Sequence, residues 1–319
     1  MTIYDVFNGD ADGTCALAQL RNANPVESTL ITGVKRDIKL LSQVQAAAGD
    51  QVNALDISMD KNKKDLNRLL EAGASVFYCD HHVSGDIPKN SNLDALINTA
   101  PNICTSLLVN SRLNGVFERW AVAGAFGDNL ETSASVLAEK IGLNSHEVSQ
   151  LKKLGIYINY NGYGSNLDDL HFKPADLYSL ASQFDDPLAF ICEDRASFDR
   201  LEAGYNNDMQ QARSAELLKE SAISSAVLLP DEKWARRVSG VYGNALANEF
   251  PSRAHAVLTC RPDGTYLVSV RAPLDNKQLA DTLCMEFPTG GGRKAAAGIN
   301  ALPANMLEQF LDRLESIYR

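Results

Sequence analysis

Short runs of β-branched and apolar residues in this chain break off, one after another, at acidic residues, and that recurrence limits the fold more than any other feature. Residues 2–7 stop at the turn signal Asn8-Gly9, pass through Asp10-Ala11-Asp12-Gly13, and lead into a predicted helix over 14–22. Residues 51–55 end at Asp56, and residues 75–79 end at Asp80-His81-His82. A fourth apolar stretch, 121–126, reads the same way and ends at Gly127-Asp128. Helices are predicted between and after these runs, at 61–72 and 133–142. Alternating strands and helices predict an α/β fold over residues 1–200, built on a doubly wound, mostly parallel sheet.

In an open parallel sheet, ligands bind outside the carboxyl ends of the strands, so loops far apart in sequence converge there. Each aspartate alone has a plainer reading, because an acidic residue after a strand is commonly a helix N-cap or turn residue. Together they predict a dense negative pocket. Several carboxylates in a small space raise one another's pKa unless cations neutralise them. Carboxylate oxygens with one or two imidazoles favour Mn²⁺ or Mg²⁺ over a thiolate-type zinc site. A pair of such ions about 3.5–4 Å apart is the usual apparatus for phosphate-ester hydrolysis.

With these motifs the chain resembles the DHH phosphoesterase superfamily, which contains RecJ-like exonucleases, nanoRNases, cyclic-dinucleotide phosphodiesterases and family II pyrophosphatases. The resemblance rests on Gly9-Asp10-Ala11-Asp12-Gly13, Leu55-Asp56-Ile57-Ser58, Asp80-His81-His82, Gly124-Ala125-Phe126-Gly127-Asp128 and the stretch from Gly290-Gly291-Gly292-Arg293 to Gly298. It implies a larger metal-binding catalytic domain and a smaller α/β domain that holds substrate, with catalysis in a cleft between them. By resemblance, Asp10 and Asp56 serve a first metal, and Asp12, Asp56, His81 and Asp128 a second, with Asp56 bridging. Asp80 orients the cluster, and His82 contacts the scissile phosphate or manages protons. Water activated by the two ions then attacks phosphorus in line, while the metals and Arg271 or Arg293 absorb developing charge.

The chain departs from the family pattern in two places. Relatives often carry a histidine or aspartate just before the Asp-x-Asp pair as a first-metal ligand, where this chain has Val6 and Asn8. An amide oxygen is a weak ligand, so Asn8 is either a feeble ligand or a turn residue. The second departure is Arg293, where the family usually has a histidine. A guanidinium binds phosphate with a fixed charge but carries out no proton transfer. Gly290, Gly291 and Gly292 would let backbone N–H groups approach a phosphate, and the alanine run after them reads as a helix whose N-terminus favours an anion.

A length of 319 residues, 45% hydrophobic and 22% charged, fits a two-domain globular protein. No basic segment followed by an apolar core begins the chain, and no run approaches the roughly 20 apolar residues of a membrane span, so a cytoplasmic protein is expected. Six cysteines, at 15, 79, 104, 192, 260 and 284, contain no Cys-x-x-Cys pair, which predicts reduced, mostly buried thiols. Cys79 and Cys104 are set aside as nucleophiles, since the nearby histidines are assigned to metal. A net charge of −10, with basic clusters only at Lys61-Asn62-Lys63-Lys64 and Arg236-Arg237, argues against a long nucleic-acid partner. The lack of the OB-type module common in RecJ-like exonucleases points the same way.

The expected reaction is therefore metal-dependent phosphodiester hydrolysis on short oligonucleotides or on linear or cyclic dinucleotides. The alternatives are a 3′-phosphoadenosine 5′-phosphate phosphatase, a 5′-to-3′ single-strand exonuclease, or a nucleotide sensor without turnover. Domains are expected at 1–200 (catalytic), 201–228 (helical connector) and 229–319 (substrate-binding), and the resemblance makes a homodimer unsurprising. From residue 238 onward strands are expected, notably 254–260 and 266–271, before a closing amphipathic helix at 304–318. Residues 159–164 read as a turn-rich loop lining the cleft.

Overall fold

A computed structural model describes residues 1–319 as two compact units, Met1–Ala203 and Gly204–Arg319. The first unit opens with β1 (Ile3–Phe7), α1 (Ala11–Ala23), β2 (Thr29–Ile31), β3 (Gln51–Leu55), α2 (Met59–Glu71), β4 (Ser75–Asp80) and β5 (Leu93–Ile97). All five strands are parallel, in the order β2-β1-β3-β4-β5. Phe7 pairs with Leu55 and Leu55 with Cys79, so β1, β3 and β4 end in one row. The winding reverses between β1 and β3, which is where such a sheet opens a ligand crevice.

Side-chain alternation decides the faces. Val6, Val52, Ala54, Val76 and Tyr78 pack with Leu66, Leu69 and Leu70 of α2 and with Leu40 and Leu41 of a short 3-10 turn. The opposite face is covered by α1 and α3 (Thr105–Arg112). Asp5, in the middle of β1, is fully buried yet satisfied: Arg21 donates to both its oxygens at 2.6 and 2.5 Å, and Asn53 and Ser28 donate at 2.7 and 2.6 Å. That carboxylate is structural, whereas those just beyond the strand ends face the crevice.

The unit continues as α4 (Glu118–Gly127), α5 (Glu131–Lys140), α6 (Ser145–Gly162), α7 (Pro174–Ala181), α8 (Pro187–Glu193) and α9 (Arg195–Arg213), the last crossing the boundary between units. Three expectations for this unit need correction. Residues 121–126 form helix, not strand; α4 packs against α1, α3, α5 and α6, and a helix apolar on all sides reads like a buried strand. Asp12 lies in the first turn of α1, with Asp10 as its N-cap, rather than in a loop. Residues 159–162 of the expected turn-rich loop are the last turn of α6.

Close helix packing explains why α4 and α6 carry glycine. A Cβ on Gly155 would lie 2.0 Å from the Ala123 carbonyl oxygen, and one on Gly127 would lie 2.3 Å from the Ala11 Cβ.

The second unit contains β6 (Glu216–Glu220), β7 (Ser224–Leu229), α10 (Lys233–Glu249), β8 (Ala254–Cys260), β9 (Tyr266–Arg271), α11 (Ala280–Met285), β10 (Gly290–Arg293), β11 (Ala296–Leu302) and α12 (Leu307–Ile317). Its sheet runs β10-β11-β9-β8-β7-β6, with only β7 and β8 parallel. One face buries Leu258, Val268 and Val270 against Leu283 of α11 and Phe310 and Leu314 of α12, while α10 packs on β8 and β9. The expected helical connector at 201–228 is replaced by the end of α9 and two strands of this sheet, and a helix, α10, precedes the strands expected from 238. The alanine run after Gly292 is strand β11, not helix, so no helix N-terminus stands there for an anion. No helix is long and apolar enough to cross a membrane.

Gly155→Ala tests the packing. Helix propensity alone would make alanine stabilising by about 1 kcal/mol. The contact with the Ala123 carbonyl reverses the sign, and a loss of about 1–3 kcal/mol is expected in urea unfolding. A gain in stability would show that α4 and α6 are not in contact.

Candidate metal centre

Five of the predicted acidic and imidazole groups converge at the C-terminal edge of the parallel sheet. Asp10 and Asp12 follow β1, Asp56 follows β3, Asp80 ends β4 and His81 comes just after it. Asp128 arrives from elsewhere, as the C-cap of α4, where Asn129 in the left-handed region (φ 59°) terminates the helix. His81 is the hub. Its Nδ1 lies 3.0 Å from the Ile103 carbonyl oxygen, a bond that needs a proton on Nδ1 and turns Nε2 toward the acids. From Nε2, Asp56 Oδ1 is 3.4 Å away, and Asp12 Oδ2 and Asp128 Oδ2 are each 3.9 Å away.

Neighbouring groups hold these acids in place. Backbone N–H groups of Thr105 and Ser106, at the start of α3, donate to Asp12 Oδ2 and Oδ1 at 2.7 Å each. The Thr105 hydroxyl donates to Asp56 Oδ1 at 3.1 Å. Asp56 itself sits in the left-handed region (φ 58°), a conformation that aspartate tolerates better than most residues and that recurs at functional sites. Burial pushes its pKa well above the carboxylate range, and Asp10 and Asp12 push it further; His81 only partly offsets them.

His82 stands apart. Its Nδ1 is 2.7 Å from Asp80 Oδ1, and a third of its side chain is exposed, while Asp80 is fully buried with Oδ2 unpartnered. Cys79 and Cys104 are buried too, and burial with the nearby Asp12 pushes both thiols well above their ordinary range, unsuited to nucleophilic work.

Asp10 does something the sequence did not announce. Its Oδ1 caps α1, accepting from Gly13 N–H at 3.1 Å, and its Oδ2 lies 2.5 Å from Lys35 Nζ. Lys35 Nζ also donates to Asn159 Oδ1 at 2.9 Å. Asn8 donates from Nδ2 to the Lys35 carbonyl at 3.2 Å, and its Oδ1 is buried without a partner. Lys35, Asn159 and Thr105 were all absent from the predicted set. Lys35 lies in the loop after β2, at the same sheet edge as the aspartates, and a search of strand ends for basic as well as acidic residues would have found it.

The donor set tests the expected ions directly. Asp12, His81 and Asp128 offer ligand atoms within 4.8 Å of one another, and Asp56 adds a fourth beside the same nitrogen, a carboxylate-rich set with one imidazole that fits Mn²⁺ or Mg²⁺. Of the residues expected for a first ion, Asp10 and the bridging Asp56 with Asn8 as a feeble candidate, Asp10 does not fit one as it stands, because Lys35 holds its free oxygen.

The predicted substrate residues lie in the second unit. Arg271 donates to Asn244 Oδ1 at 2.5 Å and to Ser269 Oγ at 2.9 Å. Arg271 pairs with Ala296 and Ala296 with Arg293, so the two arginines share one row and one face of the sheet. Gly290 needs its lack of a Cβ, which would fall 1.7 Å from the Cys284 carbonyl oxygen; Gly291 has open space, and Gly292 takes φ 142°.

No family model matches the sequence, and no curated protein matches it. Solved structures do. The chain is similar to exonuclease RecJ bound to manganese (17% identity, 99% of this chain and 90% of that one, TM-score 0.62). It is similar as well to the DHH domain of a member of a ribosomal-protein family (13%, 99% and 86%, 0.65). A pGpG-specific phosphodiesterase from Vibrio cholerae is matched over 100% of this chain and 99% of that one (12%, 0.57). The fold is that of DHH-domain proteins.

Metal binding here should release protons. Burial alone would lower the His81 pKa, but the bond to Asp56 and the fields of Asp128, Asp56 and Asp12 push it up to about 10. Below that pH the metal-free imidazole is protonated, and a ligating imidazole must be neutral. The apparent Mn²⁺ affinity is therefore expected to rise with pH up to about 10. Calorimetry in buffers of different ionisation heat reads the released protons, and an affinity flat across that range would rule out His81 as a ligand.

Proposed function

On a DHH-type fold with acids and an imidazole gathered at its strand ends, we propose that the protein is a divalent-metal-dependent phosphodiesterase acting on small nucleotides. One observation carries the reading: His81 Nε2 facing the carboxylates of Asp12, Asp56 and Asp128. Those four side chains would hold a Mn²⁺ or Mg²⁺ ion, with the Ile103 carbonyl and the start of α3 fixing His81 and Asp12 from behind. Such an ion polarises a phosphoryl oxygen and makes water a competent nucleophile near neutral pH.

The chain's own groups supply the rest. Asp80 fixes the His82 ring through Nδ1, which leaves Nε2 as the nitrogen that would pass a proton to the leaving oxygen. Arg271 and Arg293 would take substrate phosphates. Their backbones lie two strands apart, about 10 Å, a spacing that brackets the phosphates of a short nucleotide but does not follow a long strand. The net charge of −10 supports the same substrate class, since a protein that tracks long nucleic acid draws its affinity from many basic contacts. Linear and cyclic dinucleotides and short oligonucleotides lead the candidates, and one fold neighbour is itself a pGpG-specific phosphodiesterase. The site is expected to work with Mn²⁺ and to accept Mg²⁺.

The test is turnover. The protein with Mn²⁺ is offered linear and cyclic dinucleotides, 3′-phosphoadenosine 5′-phosphate and single-stranded oligomers, and products are separated by chromatography. Dinucleotide cleavage is expected, lost in His81→Ala and reduced about 10²–10⁴-fold in kcat in His82→Ala. Exclusive cleavage of 3′-phosphoadenosine 5′-phosphate or of long strands would replace the substrate class, and tight binding without any turnover would make the protein a sensor.

A further inference from the structure

The side chain that holds Asp10 is a built feature. The Lys35 N–H donates to the Gly162 carbonyl at 2.8 Å, and its carbonyl accepts from Asn8, so its backbone is fixed on both sides. Its ammonium then reaches Asp10 Oδ2 and Asn159 Oδ1 and lies 5.5 Å from the Tyr163 ring centroid. The last turn of α6 comes this close because Gly162 has no side chain; a Cβ there would sit 2.9 Å from the Gly9 carbonyl oxygen and 3.1 Å from the Asp10 Cα. Three separate segments thus converge to place one positive charge on one carboxylate.

We propose that the Lys35 ammonium takes the place of the first of two metal ions, so that the working centre holds a single divalent ion on Asp12, Asp56, His81 and Asp128. The proposal rests on the metal-site reading above and deepens it. Asp10 has two oxygens, and one caps α1 while the other holds the ammonium. An ion placed on Asp10 would have to displace Lys35 or stand against it, like charge on like. Position 8 agrees: it carries a neutral amide, which neither demands a cation nor competes with the ammonium. Asn8 Oδ1 points the other way, being buried without a partner. One neutral oxygen is too weak a ligand to draw an ion against an ammonium already in contact with Asp10.

Lys35 is a positioning residue in this scheme. It fixes Asp10 and supplies a charge that does not depend on metal supply, so activity should follow the filling of one site.

The experiment is a Mn²⁺ titration of the full chain stripped of metal, read by native mass spectrometry and electron paramagnetic resonance. One Mn²⁺ per chain with the six-line spectrum of an isolated ion is expected. Two tightly held ions with a spin-coupled spectrum would overturn the role of Lys35 while leaving the metal site standing. No tight ion at all would remove the metal site and this proposal with it. The variant Lys35→Ala combined with Asn8→Asp restores an acidic ligand and removes the ammonium, and it is expected to bind a second ion and give the coupled spectrum. A folded double variant that still binds one ion would also overturn the proposal. Should it fail to fold by circular dichroism, the unmodified chain decides alone.

Discussion

Everything at the strand-end crevice depends on how four carboxylates, three of them buried, are kept together. Asp10, Asp12, Asp56 and Asp128 lie within reach of one imidazole or one ammonium, in a setting where an unpaired charge is costly. The three buried acids each have a different answer. Asp12 uses two backbone N–H groups, Asp10 an ammonium, and Asp56 a hydroxyl and His81. These answers come from α1, α3, α6 and the loops after β2 and β4, so the site and the packing of the first unit are one problem. Burial and the neighbouring acids push the Asp56 pKa up, and the same cluster of acids pushes that of His81 up.

Parallel pairing is what makes the convergence possible. Because Phe7, Leu55 and Cys79 fall in one row, whatever follows them emerges on the same edge, and the reversal between β1 and β3 opens that edge to a ligand. A one-residue slip of any strand would turn its alternating side chains to the wrong face and break the core beneath α2. Glycine then sets how near the helices come. Gly127 lets α4 meet α1 and so sets where Asp128 ends up, and Gly162 brings the end of α6 onto the Asp10 loop.

Much of this was legible in the sequence, for identifiable reasons. β1, β3 and β4 were visible because each is a short apolar run that stops at a turn or an acidic residue, and a parallel sheet with strand-end acids follows from those alone. Asp128 was found by the right motif under the wrong secondary structure, since a helix buried on all sides lacks the 3.6-residue polar stripe that would have marked it. The end of α6 was missed because Asn159, Asn161 and Gly162 are turn formers by propensity; all three are buried, and tertiary contacts override that preference. The strand after Gly292 was missed for the converse reason, alanine being a helix former that here completes a sheet between β9 and β10. Lys35 could be found only by its place after β2, because nothing local in Gly33-Val34-Lys35-Arg36-Asp37 shows that its ammonium meets a carboxylate 25 residues earlier.

Asn8 and Lys35 make physical sense only together. A carboxylate or imidazole at position 8, as in the family pattern, adds a ligand beside Asp10 and raises the demand for a divalent ion there. The amide of Asn8 adds no charge, and its Nδ2 ties down the backbone of the residue whose ammonium now meets Asp10. Keeping Asn8 without Lys35 would leave Asp10 buried with half of its acceptor capacity unmatched. Keeping Lys35 beside an acidic residue at 8 would set the ammonium and an incoming ion in competition for the same oxygens. A neutral side chain at 8 and a lysine in the loop after β2 therefore amount to one choice, a fixed monovalent charge in place of an exchangeable divalent one, and under the single-ion proposal that choice leaves the Asp12, Asp56, His81 and Asp128 set as the place where a metal would come and go.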